Sequence, residues 1–159
     1  MHRQLAPWDP SGTQRLLNSN YFQYFRDDYG CNYCPVSRSV ESCNPDLTLQ
    51  EFGYKVIPIN PFSAGERIHG EIIVAKLSDV RIPIDIVDIF RPSKETPPIA
   101  EEAVKIGAKV FWLQYGIQND EAKKIVESKN ISYISNKCIK QEYQRLFLKI
   151  SPVFPALKN

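Results

Sequence analysis

The sequence predicts an α/β fold in which a parallel sheet carries helices on both faces. From Gly53 onward, short apolar runs of strand length alternate with segments of helical periodicity. The run Ile84–Phe90 is nearly continuous in apolar and β-branched residues, as expected for a strand that is buried on both faces of a parallel sheet. Three such strands joined by two helical crossovers make a right-handed parallel βαβαβ arrangement.

Helix starts and stops are marked by residues with defined capping preferences. Thr96 is a good N-cap, Pro97 suits the first helical position, and Gly107 fits a C-terminal stop. Asn119 caps a second helix. The brief run Ile72–Ala75 fits either a short strand or the lead into a turn. The other predicted elements are strands over Tyr54–Ile59, Lys109–Leu113 and Ile131–Ile134 and a last helix over Ile139–Leu148.

Residues 1–46 differ from the rest and are predicted to be a divergent N-terminal segment, ahead of a domain over 47–150 and a tail over 151–159. Within it, Gln14–Phe25 fits a helix by the position of its apolar residues, although its Asn and aromatic residues form helices poorly. No later apolar run in this segment is long enough for a central strand. The first strand of the sheet is therefore not recognisable, and a shifted reading frame is one explanation.

Length and composition exclude several classes of protein. A chain of 159 residues suits one domain, and its net charge of +2, with both signs interspersed, does not predict a nucleic-acid partner. No apolar run reaches the roughly 20 residues of a membrane span, and no signal peptide opens the chain. We therefore expect a cytoplasmic protein, in which the four cysteines are reduced.

The exit from the strand Ile84–Phe90 predicts an anion-binding edge. Arg91 and Ser93 follow the strand directly, and a helix starts a few residues later. That order places a cation and backbone N–H groups at the carboxyl end of a strand, where open α/β sheets hold anionic ligands. Arg91 could instead cap the sheet edge or pair with Glu95. The ligand that suits this edge is a phosphorylated molecule.

Four blocks of the sequence carry a family resemblance. They are Gly53–Pro61, Val87–Ser93 with Pro97-Pro98, Trp112–Ile117 with Asn119, and Asn136–Cys138. With these blocks in order, the segment from about Gln50 to Leu146 resembles the small stand-alone CoA-binding proteins with a Rossmann-like fold. Those proteins are similar to the CoA-binding domain of succinyl-CoA synthetase α-subunits and of ADP-forming acyl-CoA synthetases.

The resemblance implies a nucleotide-binding protein that holds coenzyme A or acyl-CoA at the carboxyl edge of the sheet, without catalysis of its own. Arg91 would bind phosphate, Phe90 would flank adenine, and the loop at Gly116 would let the backbone approach the ligand closely. The helix after Asn119 would point its N–H groups at the same crevice. The implied ligand-binding residues are Asn60, Pro61, Phe90, Arg91, Ser93, Gln114, Gly116, Ile117 and Cys138.

One family feature is missing from the sequence. Family members begin with a strand that ends in a glycine-containing loop around the ligand phosphates. Here Gly30-Cys31-Asn32 and Ser42–Pro45 are the corresponding segments, and neither follows a recognisable strand. The diphosphate part of the site is predicted to be altered or lost.

Three other functions are compatible with particular residues. His69 and Cys138 could form a thiol and imidazole pair, although no third orienting group is evident. Cys31, Cys34 and Cys43 could bind zinc, although only one paired-ligand arm is present. A CoA- or nucleotide-responsive interaction module, as a homodimer or with a protein partner, would use the same crevice. The favoured prediction is passive CoA binding without a metal site.

Overall fold

The structure, a computed structural model, describes residues 21–25, 50, 54–68 and 70–148. For residues 21–25, 147 and 148 it describes the backbone alone. The strands are β1 Tyr21–Phe25, β2 Lys55–Ile59, β3 Arg67–Ile68, β4 Glu71–Ile72, β5 Ile86–Ile89, β6 Val110–Leu113 and β7 Ser132–Ile134. The helices are α1 Thr96–Ile106, α2 Asp120–Glu127 and α3 Ile139–Tyr143, which a π-helical segment, Gln144–Leu148, extends. Short 3-10 turns lie at Leu77–Asp79 and Ser93–Glu95.

Five parallel strands form the main sheet, in the order β2-β1-β5-β6-β7. Counted among these five alone, the order is 2-1-3-4-5, which is one of the two common doubly wound arrangements. The winding reverses between β1 and β5, so the crevice outside the carboxyl ends of these two strands is the topological switch point. Ligands of open α/β sheets bind at that position, which makes it the candidate site.

The predicted helix Gln14–Phe25 is wrong at its C-terminal end, because Tyr21–Phe25 forms β1. This strand fills the place of the first strand, which the sequence alone did not reveal. Four of its five residues are aromatic, and aromatic residues favour strands. Parallel pairing with β2 on one side and β5 on the other decides the conformation. The rest of residues 1–46, including both candidate glycine loop segments, lies outside the described residues.

The sheet is covered on both faces, as predicted. Every residue of β5 and β6 is buried, and their side chains alternate between two apolar clusters. Val87, Ile89, Phe111 and Leu113 pack with α1 and α2 in the first cluster. Ile86, Val110 and Trp112 pack with α3 in the second. Full burial of an aliphatic or aromatic side chain contributes about 1.5–3 kcal/mol, so these two strands anchor the domain.

The helix boundaries agree with the capping pattern, with one correction. Thr96 is the first helical residue of α1 rather than its N-cap, because a 3-10 turn over Ser93–Glu95 leads into the helix and makes Glu95 the N-cap. Gly107 ends α1 with a φ of 70°, the left-handed conformation that glycine adopts easily. Asn119 caps α2, since its side chain accepts a hydrogen bond from the Ala122 N–H at 2.9 Å.

A small excursion leaves the edge of the sheet after β2. The strands β3 and β4 form a two-stranded antiparallel hairpin, and Val74 then makes a single parallel bridge to Ile59. The ambiguous run Ile72–Ala75 is therefore divided, with Ile72 in β4 and Val74 in the bridge. Across the described ranges, every helix is too short or too polar to cross a membrane.

Candidate functional site

Arg91 lies at the topological switch point, immediately after β5 and Phe90. Its guanidinium pairs with the Glu95 carboxylate, with Nε 2.8 Å and Nη2 2.6 Å from Oε2. The Arg91 side chain is 20% exposed and that of Glu95 is 37% exposed, so the pair is partly withdrawn from water. A guanidinium in such a place binds phosphate strongly, because its planar fork matches the phosphate oxygens. The predicted alternative of an Arg91–Glu95 pair is confirmed, and it leaves the guanidinium at the crevice.

The start of α1 offers few backbone donors for an anion. The Thr96 N–H donates to the Ser93 carbonyl, and Pro97 and Pro98 have no N–H at all. The expectation of available N–H groups at this helix start is therefore wrong for its first three positions. Among the described residues that follow β5, Arg91 rather than the first turn of α1 offers positive charge to an anion.

The start of α2 is also poorly suited to an anion. The N–H groups ahead of it are used internally, since that of Gln118 donates to Ser93 Oγ at 3.2 Å and that of Asn119 to the Tyr133 hydroxyl at 3.0 Å. Its first turn carries the carboxylates of Asp120 and Glu121. These charges stabilise the helix but repel a phosphate. The predicted use of this helix start by the ligand is not supported by its charge.

Hydrogen bonds tie together the loops that follow β5, β6 and β7. The Ser93 carbonyl accepts from Thr96 Oγ1 at 2.8 Å and from Asn119 Nδ2 at 2.9 Å. Asn136, which has a φ of 55°, accepts from the Gly116 N–H through Oδ1 at 2.8 Å and donates its own N–H to the Ile117 carbonyl at 3.1 Å. These contacts make one connected wall of the crevice.

Replacing Asn119 with alanine should lower the free energy of unfolding by about 1–2 kcal/mol, because it removes both the α2 cap and the tie to Ser93. Asn119→Asp keeps the capping oxygen but loses the Nδ2 donor, so we expect about half of that loss. Urea unfolding of the three proteins measures both effects. An equal loss in the two variants would show that the cap contributes nothing.

Below the crevice, a polar pair is buried against the second apolar cluster. Gln114 Nε2 donates to Asp88 Oδ1 at 2.7 Å, and Gln114 Oε1 accepts from the Ile139 N–H at 3.4 Å. Asp88 is fully buried and Gln114 is 2% exposed. Gln114 was predicted as a ligand-binding residue, and the structure places its amide between β5 and the start of α3. From there it joins β5 to the start of α3 beneath the crevice.

The other predicted site residues have different surroundings. Asn60 is buried, and its Oδ1 accepts from the Phe62 N–H at 2.9 Å, so it builds the turn in which Pro61 is exposed. This turn follows β2, on the far side of β1 from Arg91. Ile117 packs in the first apolar cluster, so its side chain is structural. Phe90 packs partly against the second cluster and leads directly into Arg91.

Gly116 and Cys138 lie at the ends of β6 and β7. Gly116 is exposed and has a φ of 81°, so the turn requires a residue that tolerates the left-handed conformation. Cys138 is buried and occupies the N-cap position of α3. The structure thus brings Arg91, Ser93 and Gly116 to neighbouring strand ends, and leaves Asn60 and Pro61 across the switch point.

Two important residues were missed from the sequence. Asp88 belongs to a matched block, and a charged residue inside an otherwise apolar buried strand signals a buried polar partner. Asn136 lies in another block, and no local pattern indicates its hydrogen bonds to the loop after β6. Each side chain bonds a residue of the loop after β6, Asp88 to Gln114 and Asn136 to Gly116, and so positions that loop beside the crevice.

The alternative sites rest largely on residues beyond the described ranges. Cys31, Cys34, Cys43 and His69 all lie outside them, so the zinc and the thiol and imidazole hypotheses stay predictions. Within the described part of the chain, no group of three or more His, Cys, Asp or Glu residues could hold a metal ion.

Comparison with known proteins agrees with this arrangement. The sequence model of the CoA binding domain matches residues 47–144. An uncharacterised protein of Bacillus subtilis (strain 168), YneT, is 40% identical over 92 residues, which span 58% of this chain and 67% of YneT.

Solved structures show the same fold. The structure of cell-free ID.343 from Thermus thermophilus is 28% identical, with a TM-score of 0.73 over 88% of this chain and all of that one. A hypothetical protein from Pyrococcus horikoshii OT3 is 27% identical, with a TM-score of 0.69 over 92% of this chain and 96% of that one. These similarities support the Rossmann-like assignment.

Proposed function

The chain belongs to the CoA binding domain family, and from this premise we propose that it binds coenzyme A or acyl-CoA at the carboxyl ends of β1 and β5, without catalysing a reaction of its own. The observation that carries the proposal is the position of Arg91. Its guanidinium follows β5 directly, at the switch point of a doubly wound sheet, where such folds bind nucleotides. CoA brings the phosphate groups that this side chain recognises.

The chemistry of the crevice supports a ligand with both anionic and apolar parts. Arg91 can take a phosphate, and the half-buried Phe90 ring next to it offers a flat apolar surface to adenine. The wall formed by Ser93, Gly116 and Asn136 presents backbone at the crevice edge, where a long flexible arm can pack. A binding role also agrees with membership of a family of CoA binding domains.

Isothermal titration calorimetry with CoA, dephospho-CoA, NAD and ATP tests the proposal. We expect CoA to bind with a dissociation constant on the order of 1 μM, driven by phosphate contacts and adenine packing. Acetyl-CoA in the same series reports whether an acyl group changes the affinity. CoA and NAD share an adenine and a diphosphate. Equal affinity for the two would mean that the site recognises only these shared groups, which would contradict the assignment to CoA.

A further inference from the structure

The Glu95 carboxylate contacts the Arg91 guanidinium directly, and its placement follows from the sequence around it. Glu95 is the N-cap residue of α1, and a capping side chain accepts a hydrogen bond from the N–H of the second or third helical residue. Those residues are Pro97 and Pro98, which have no N–H. The Glu95 side chain makes no capping bond, and it turns to Arg91 instead.

The ion pair covers one edge of the guanidinium. Both Nε and Nη2 of Arg91 contact the same oxygen, Oε2 of Glu95, at 2.8 Å and 2.6 Å. A phosphate that binds this edge must displace the carboxylate. A phosphate that binds the other edge lies within a few ångströms of a like charge. In both cases, phosphate binding at Arg91 depends on Glu95.

We propose that Glu95 is a specificity-determining residue that competes with the ligand phosphate for Arg91. The inference rests on the proposed function, and it concerns which anions the site accepts. A phosphate monoester carries about −1.5 to −2 charges at neutral pH, more than a carboxylate, so it can take over the guanidinium. Small monovalent anions cannot do so. Glu95 thereby prevents weak anions from binding to Arg91. When CoA binds, its phosphate replaces the Glu95 carboxylate at the guanidinium.

The opposite effect, in which Glu95 helps by holding Arg91 in place, is the weaker one here. Four fifths of the Arg91 side chain is buried, which is more than contact with one carboxylate can cover, so other parts of the protein also restrain the guanidinium. Removing the negative charge of Glu95 therefore strengthens phosphate binding by more than the loss of the Arg91–Glu95 ion pair weakens it. Competition should dominate in the measured affinity.

Glu95→Gln should tighten CoA binding about fivefold or more, because glutamine removes the competing charge while keeping a side chain of the same size. In an Arg91→Ala background, the same substitution should change the affinity less than twofold, since the contested group is absent. Glu127→Gln is the matched control. It removes the same charge from an exposed position at the far end of α2.

Calorimetry on the wild type, both single variants, the double variant and the control separates the outcomes. Unchanged or weaker binding by Glu95→Gln, while the wild type binds CoA, would overturn the inference and leave the proposed function standing. Equal tightening in both backgrounds would also overturn it, because it would show repulsion without competition for Arg91. If the wild type does not bind CoA, the proposed function fails. The same series with inorganic pyrophosphate as the probe then decides the role of Glu95.

Discussion

Arg91→Ala should weaken CoA binding roughly 10- to 100-fold. A hydrogen bond to a charged group contributes about 1.5–3 kcal/mol, and each 1.4 kcal/mol corresponds to a factor of ten in affinity. The domain should stay folded, because the Arg91–Glu95 pair is partly exposed and such pairs contribute little to stability. Calorimetry for affinity and urea unfolding for stability measure the two quantities separately.

Arg145→Ala is a matched control for this substitution. Arg145 also pairs with a glutamate, Glu142, at 2.8 Å, but it lies beyond α3 and away from the switch point. Its replacement should leave the CoA affinity within twofold of the wild type. An Arg91→Ala protein that binds CoA as tightly as this control would show that the ligand phosphate is held elsewhere.

Gln114→Ala should lower the free energy of unfolding by about 2–3 kcal/mol. The change removes the hydrogen bond that the fully buried Asp88 carboxylate receives at 2.7 Å, and it takes the acceptor from the Ile139 N–H. A buried acceptor that loses a hydrogen bond destabilises the folded state, and the missing amide also leaves a cavity. Urea unfolding at neutral pH measures the loss.

Gln118→Ala provides the comparison for that measurement. Gln118 lies in the same loop, but its side chain is exposed and its backbone N–H makes the bond to Ser93, which alanine preserves. Its replacement should change the unfolding free energy by less than about 0.5 kcal/mol. Similar losses in the two variants would mean that the buried Asp88–Gln114 pair contributes nothing particular to stability.

The parts of the fold that local patterns determine could be predicted from the sequence. Strands β5, β6 and β7 fall within the predicted runs, and Gly107 and Asn119 take their predicted roles at helix ends. Capping and burial act over a few residues, so a single sequence contains them. The strand β1 does not have such a pattern. Its aromatic residues suit a strand or a helix face, and pairing with distant strands selects the strand.

The candidate site could be predicted only in part, for a related reason. Arg91 follows a strongly apolar strand, so its position at the sheet edge is evident from the sequence. The bonds from Gln114 to Asp88 and from Asn119 to Ser93 each join residues 26 apart in the chain. Such pairs depend on strand register and loop geometry, which a single sequence does not encode locally. Ile117 illustrates the same limit, because a core residue and a lining residue look alike in a loop.

The ties among Ser93, Gly116, Asn119 and Asn136 have a thermodynamic consequence for any ligand. Each of these bonds joins two groups of the protein itself, so the conformational entropy of this wall is lost when the domain folds. Binding against the wall then carries little ordering penalty. Its heat capacity change should follow the apolar area that the ligand covers, as for a rigid surface.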